Sequence, residues 1–451
     1  MRRPYRTPVV KASPDVKIPE PRVSKFVIFL LKILGRLYLF VFFGVAHVVL
    51  RGGNDLFLAF KRALAGESRL IIAFRHPNGG EPQLLAWFFL FKLRVLAARQ
   101  KIKFARQPHA IFVYGYEVVR WGGWAARFIM PQVGALPIHH AKLDSQGMAR
   151  IYRAITEGSY PLALAPEGQV SYTIESVPRL EQGAIRIGFN AAARLDEKGS
   201  KVPVEVLPVA VHFRFGPGGA FALEHLIRKI EKFTGIRHEK KSEKLSFSER
   251  IGPCRERILE INEERYHIKP NRSLSFEQRL ETVINAAMGS TERILGIKSQ
   301  GDFFSRMYYL RQICWDRIVL PGVQSLDAMP ALERGTADLL AGEAWHAGRH
   351  LELVDFCWYF RIPLLGDDAP LHEKVEYVQN LWDFINRTIG GAYSNRINIL
   401  PRKVIIRSAP VINLSERLPA YRQDKTGAME TAMEDLKNAY LDCIKKVNQA
   451  E

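Results

Sequence analysis

The chain has 451 residues, of which 47% are hydrophobic and 25% charged, a balance that excludes a disordered or fibrous protein and leaves room for two or three domains. Its formal net charge of +19 is concentrated: residues 1–150 hold 24 Lys and Arg against 7 Asp and Glu, whereas the rest hold 41 against 39. Four scattered cysteines, Cys254, Cys314, Cys357 and Cys443, have neither zinc-site spacing nor the density of a disulfide scaffold, and read as reduced thiols of a cytoplasm-facing protein.

In chain order, residues 1–24 read as a flexible basic arm, rich in Pro, Lys and Arg. Residues 25–50 are almost wholly apolar apart from Lys32, Arg36 and His47. A bilayer span needs ~20 apolar residues, and two cations inside the first half argue against a simple span. The expectation for 25–60 is therefore two short helices lying in a membrane interface. Lys25, Lys32 and Arg36 would snorkel to head groups while Phe26, Phe29, Leu30, Phe40, Phe42 and Phe43 enter the acyl region. A single spanning helix and a buried helix are the alternatives. A cleaved signal peptide does not fit, because no small-residue cleavage site closes the apolar run. Next to such a segment, the basic excess points to an anionic membrane surface, where each well-placed cation adds ~1 kcal/mol, and not to nucleic acid.

From residue 69 to about 215 strands and helices alternate. The pattern predicts strands over 69–75, 109–115, 134–139, 161–165 and 203–214, with helices over 82–93, 120–130, 145–157 and 181–195. This is an α/β layout, a sheet covered by helices. Residues 275 to about 390 turn to helical periodicity, with Phe276, Leu280, Val283, Ile284 and Ala287 on one buried face. A strand-like run returns at 402–412, followed by a helix over 427–444.

The first chemical candidate lies at the end of the first of these strands, in Phe74-Arg-His-Pro-Asn-Gly-Gly-Glu-Pro82. His76 ends a strand and Glu81 begins a helix, where Pro82 suits an opening position and the helix dipole favours an ionised carboxylate. Gly79 and Gly80 let the loop fold back so that imidazole and carboxylate meet. A histidine five residues before an acid is common by chance. About ninety residues on, however, a second apolar strand ends in Pro166-Glu167-Gly168.

These blocks resemble the glycerolipid acyltransferases, the lysophosphatidic acid acyltransferase or PlsC-like family. His76 to Glu81 is similar to the family's H-x4-D signature and Pro166-Glu167-Gly168 to its F-P-E-G block. Val133-Gly-Ala-Leu-Pro-Ile-His-His140 stands where the family has a Gly-containing strand ending in arginine, and Val206-Leu-Pro-Val-Ala-Val211 resembles its late V-x-P-V strand. The resemblance implies a membrane-bound O-acyltransferase of phospholipid biosynthesis. Such an enzyme moves a fatty acyl group from an acyl-CoA or acyl-carrier-protein thioester to a lipid hydroxyl, with His76 as general base, Glu81 as its orienter and no further cofactor or metal. Glu167 and Gly168 would then shape the acceptor site.

The departures carry information. Arg75 stands in place of the usual Asn, Glu81 in place of Asp, His140 in place of the arginine, and Gln169-Val-Ser171 in place of T-R-S. The missing arginines are the forks that hold acceptor phosphate. Arg75, His139, His140 and Lys142 are the candidate substitutes, and a glycolipid, amino-lipid or other hydroxyl acceptor joins lysophosphatidic acid as an expectation. His109, His212, His225, His346 and His350 lack a neighbouring acid in a strand-turn context and read as solvated or core residues. The final strand and helix also resemble the family's ending. Residues 225–400 are therefore expected to be a helical insertion splitting one acyltransferase core of 61–224 and 401–451, with a separate C-terminal helical domain as the alternative. A catalytically inactive, acyltransferase-like membrane scaffold or lipid-binding regulator is the competing function. Localisation is expected at the cytoplasmic face of a membrane, peripheral or monotopic.

Overall fold

Twelve residues of Val204–Phe215, buried up to the last of them, set the centre of the fold, because a strand sealed on both faces must be covered by helices on both. The structure, a computed structural model, describes residues 10–16, 18–139, 144–216, 218–236, 245–391 and 396–450. The chain divides into two compact units, Ile18–Gly216 with Leu400–Glu451, and Met1–Lys17 with Pro217–Ile399.

The first unit is α/β. Its strands are β1 (Val45–Arg51), β2 (Arg69–Phe74), β3 (Ile111–Gly115), β4 (Leu136–Ile138), β5 (Leu162–Leu164), β6 (Val204–Phe215), β7 (Arg402–Ser408) and β8 (Ile412–Asn413). They form one sheet in the order β1-β7-β6-β2-β5-β3-β4, with β8 also on β6. Pairing is parallel from β6 across to β4, while β7 and β8 run antiparallel to β6 and β1 follows β7 in parallel.

The helices of this unit are α1 (Lys25–Phe43), α2 (Asn54–Ala65), α3 (Glu81–Trp87), α4 (Arg94–Arg99), α5 (Glu117–Trp121), α6 (Gly123–Gln132), α7 (Ser145–Thr156) and α8 (Gly183–Glu197), with α15 (Leu418–Gln423) and α16 (Lys425–Asn448) after the return. A π-helical turn, Phe88–Leu93, joins α3 to α4. Side-chain alternation along β2 builds two cores. Leu70, Ile72 and Phe74 face the layer of α2 and α3, whereas Ile71 and Ala73 face the layer of α7, α8 and α16.

Two expectations are corrected here. Residues 25–60 are not two interfacial helices: α1 is followed by β1, an edge strand of the sheet, and by α2, which buries Leu56, Phe57, Phe60 and Leu64. Gly44 breaks the helix in the left-handed conformation at φ 59°, and the β-branched run after it pairs with β7. Arg36 does not snorkel outward. Its guanidinium donates to the carbonyls of Val45 and Ala46, and Lys92 donates to that of Val48, so two cations cover carbonyls along β1. The arm of residues 1–24 is also tied down where it is described: Arg22 and Ser24 donate backbone bonds to Pro131 and Gln132.

The helix α1 remains unusual in presenting its apolar side outward. Phe26, Phe29, Ile33, Leu37, Phe40 and Phe42 are each more than half exposed, while Ile28, Gly35 and Leu39 face the protein. It is the one helix among the described residues long and apolar enough to cross a membrane.

The second unit is helical: α9 (Gly218–Thr234), α10 (Phe247–Arg265), α11 (Phe276–Leu295), α12 (Phe303–Ile318), α13 (Ala331–Tyr359) and α14 (Leu371–Thr388). Capping boxes at Ser246/Glu249 and Ser275/Gln278 start α10 and α11. Phe276, Leu280, Val283, Ile284 and Ala287 form the buried stripe of α11. Residues 10–16 of the arm belong to this unit, where the Ser13 N–H donates to the Ile318 carbonyl, the Ser13 carbonyl accepts from Leu320, and Ala12 donates to Asp338.

Candidate active site

The alternation that builds β2 continues one step past its end and separates the two residues that follow it. Phe74 belongs to the α2–α3 core and the His76 ring lies on that side, 5.9 Å from Phe74 in an edge-on arrangement. Arg75 points to the other face, with its guanidinium 5.6 Å from the centre of the Tyr440 ring. The backbone ladder extends to this point, since the Arg75 N–H donates to Val209.

After His76 the loop turns through Gly79 at φ 93°, which a β-carbon would strain, and Gly80 caps α3. Glu81, in the first turn of α3, is fully buried, and its Oε2 lies 2.7 Å from Nδ1 of His76. The same oxygen accepts the Gly79 N–H at 2.8 Å. With Glu81 accepting from Nδ1–H, the basic lone pair falls on Nε2, and the His76 side chain keeps 17% of its surface open.

The backbone of His76 is held from both sides. Its N–H donates to Oε2 of Glu167 at 3.1 Å, and its carbonyl accepts from the Ser171 N–H at 3.0 Å. Glu167 sits in a turn made by Gly168 at φ 72°. Its other oxygen accepts from Nε of Arg75 in an ion pair whose side chains are 2% and 1% exposed. The remaining reach of Arg75 goes to the carbonyls of Thr173 and Ser176, both at 2.8 Å.

Arg75 and Glu167, the candidate acceptor-site residues of the sequence, meet in the structure as a buried pair. They are buried against each other, and their connection to His76 runs through its backbone. Gly168 shapes the turn that makes the pairing possible. His139 is half-buried at the end of β4, stacked on Tyr116 with ring centres 4.0 Å apart, and its N–H donates to Asp144 at 3.1 Å. His140 and Lys142 lie outside the described residues.

Two groups near the site were not anticipated. Arg402, at the start of β7, is 2% exposed and donates to Oδ1 of Asn78 at 2.8 Å and to the carbonyl of Phe43 at 3.0 and 2.6 Å. His212, on β6, does have an acid beside it: Glu175 lies 3.6 Å from Nδ1, beyond hydrogen-bond length. The direct partners of Glu175 are Arg214 at 2.8 Å and Asn448 at 3.0 Å. Burial alone raises the Glu175 pKa, but His212, Arg214 and Asn448 outweigh it and bring it down to about 2. Burial lowers that of His212.

Two further histidines serve packing. His109 is buried with Nε2 2.8 Å from the Val133 carbonyl, and burial lowers its pKa to about 4 against that bond. In the helical unit His350 Nδ1 meets the Tyr266 hydroxyl at 2.7 Å, and burial brings it to about 4. Among the described residues no group of three His, Cys, Asp or Glu is placed to hold a metal ion.

None of the protein-family models matches this chain, and no match among curated proteins reaches significance. The chemistry of the site therefore stands on its geometry: a partly open imidazole, its Nδ1 steadied by a buried carboxylate, at the carboxyl end of a parallel strand.

Proposed function

We propose that this protein is a membrane-bound O-acyltransferase, similar in fold and mechanism to the glycerolipid acyltransferases. The observation that carries the reading is the 2.7 Å contact between His76 Nδ1 and the buried Glu81, which leaves Nε2 as the base. An alcohol is a poor nucleophile at neutral pH and needs its proton removed as it attacks. Nε2 takes the proton of the lipid hydroxyl while the oxygen adds to the carbonyl of an acyl-CoA or acyl-carrier-protein thioester. The tetrahedral adduct collapses, the carbon–sulfur bond breaks, and the imidazolium returns the proton to the leaving thiolate. Glu81 stabilises the imidazolium between these steps, as the carboxylate of a catalytic triad does. No enzyme nucleophile is required.

The membrane part of the proposal rests on α1. Its outward aromatic face, next to Lys25 and Lys32 in the strongly basic first third of the chain, suits the interface of an anionic bilayer. Because Arg36 and Leu39 bind the helix to the sheet unit, a helix lying along the surface fits better than a crossing one. Trp124, 82% exposed on α6, adds an interfacial anchor.

The test is thioester turnover with lipid analysis in the presence of wild type and of His76→Ala. Turnover should fall by roughly 10²-fold or more in the variant. Equal turnover removes His76 from the chemistry. The burial of Glu167 by Arg75 favours a second reading, a membrane-attached lipid-binding protein without catalysis. Wild type that turns over no acyl thioester, with a cellular role that survives His76→Ala, selects it.

A further inference from the structure

The last residue of α1 and the loop carrying the candidate base are joined by one side chain. A helix leaves its final carbonyls without intrahelical partners and carries partial negative charge at that end. Gly44 N–H turns back to Leu39 and Phe40, while the Phe43 carbonyl receives both Nε and Nη2 of Arg402. The third arm of the same guanidinium, Nη1, reaches Oδ1 of Asn78, two residues after His76. Its backbone N–H donates to the Gly44 carbonyl at 2.8 Å, and its position in β7 opposite Val45 fixes it in the sheet. The Phe43 ring supplies a second contact: a β-carbon on Gly80 would lie 2.6 Å from it, so helix end and loop already touch without slack.

We infer that Arg402 is a positioning residue that transmits the seating of α1 on a membrane to the His76–Glu81 loop through Phe43 and Asn78. The inference rests on the reading of α1 as a membrane-surface helix. Any tilt or shift of α1 moves the Phe43 carbonyl and ring, and the fork of Arg402 passes that movement to Asn78. The loop is otherwise held by single bonds from Glu167 and Ser171 to His76 and by Glu81 to Gly79. Lysine at 402 keeps the charge but has no fork to span both partners. Removing the Asn78 side chain cuts the link at its far end and leaves Arg402 on the helix.

The experiment is hydrogen exchange of residues 76–81 in the full chain, free and bound to vesicles of phosphatidylcholine with phosphatidylglycerol. Vesicles should slow exchange in this segment by about threefold or more in wild type, and by less than that in Asn78→Ala and Arg402→Lys that still float with the vesicles. In parallel, Asn78→Ala should lower kcat on vesicle-borne acceptor with KM little changed. Equal slowing in both variants and wild type overturns the inference, as does wild type whose loop is indifferent to bound vesicles. Vesicle-dependent slowing without any acyl transfer by wild type supports the coupling and refutes the acyltransferase reading.

Discussion

Oε2 of Glu81 accepts from two donors on one loop, Nδ1 of His76 at 2.7 Å and the Gly79 N–H at 2.8 Å, so a single buried oxygen fixes both the ring and the turn that presents it. Glutamine at 81 can preserve an acceptor there but not the negative charge that offsets an imidazolium. In Glu81→Gln, kcat for acyl transfer should fall by about 10²-fold with a much smaller change in KM, because the lost interaction develops in the transition state. Steady-state turnover at saturating thioester is the measurement. An unchanged kcat takes the acid out of the mechanism.

The Arg75–Glu167 pair makes a different prediction, because both charges are out of water. Breaking a buried pair by deleting one partner leaves the other charge uncompensated, at a cost of about 3–5 kcal/mol, whereas removing both charges together costs much less. Arg75→Ala should lower the urea unfolding midpoint sharply, and Arg75→Met combined with Glu167→Gln should recover much of the loss. A double variant as unstable as the single one would assign the cost to packing under Tyr440, not to charge.

Why this pair escaped the sequence is instructive. Short apolar runs revealed β2, β5 and β6 almost to the residue, and the punctuation by Gly79, Pro82 and Gly168 located both turns. Carrying a strand's side-chain alternation past β2 would have set Arg75 and His76 on opposite faces and taken Arg75 off the His76 side. β1 was hidden because Val45–Arg51 continues an apolar helix with only Gly44 between them, although its valines favour a strand. Arg402 bonds to Asn78 across 324 residues, and Arg214 to Asn448 across 234, and no local pattern encodes such contacts. The aromatic content of 25–43 was legible, but which side of α1 faces the protein depends on Gly35 meeting the Trp87 ring.

His109 contributes a pH dependence to the α/β unit. The ordinary histidine pKa is near 6.5, and burial lowers that of His109 to about 4 in the folded protein. Between those values the unfolded chain takes up a proton that the folded one refuses, so stability falls as the pH drops from 6.5 towards 4, by up to about 1.4 kcal/mol per unit. His109→Gln keeps a donor for the Val133 carbonyl and removes the titration. The difference in unfolding free energy between wild type and variant should therefore move in the variant's favour across that window and stay level above pH 7. Parallel curves from pH 7 to 4 would show that His109 is not protonated on unfolding.

The exposed face of α1 should behave as membrane surface and not as core. Phe29 is 57% and Leu37 62% exposed, so serine at either position removes little buried area and should leave the unfolding midpoint nearly unchanged. Burying such a side chain in the acyl boundary is worth about 1.5–3 kcal/mol, so each replacement should weaken vesicle binding by roughly tenfold or more. Binding through the cations alone would respond differently: it would weaken with salt and tolerate both serines, since Lys25 and Lys32 are untouched. Flotation of wild type, Phe29→Ser and Leu37→Ser at low and high salt separates the two contributions. If both variants float like wild type at high salt, α1 is not the element that enters the membrane.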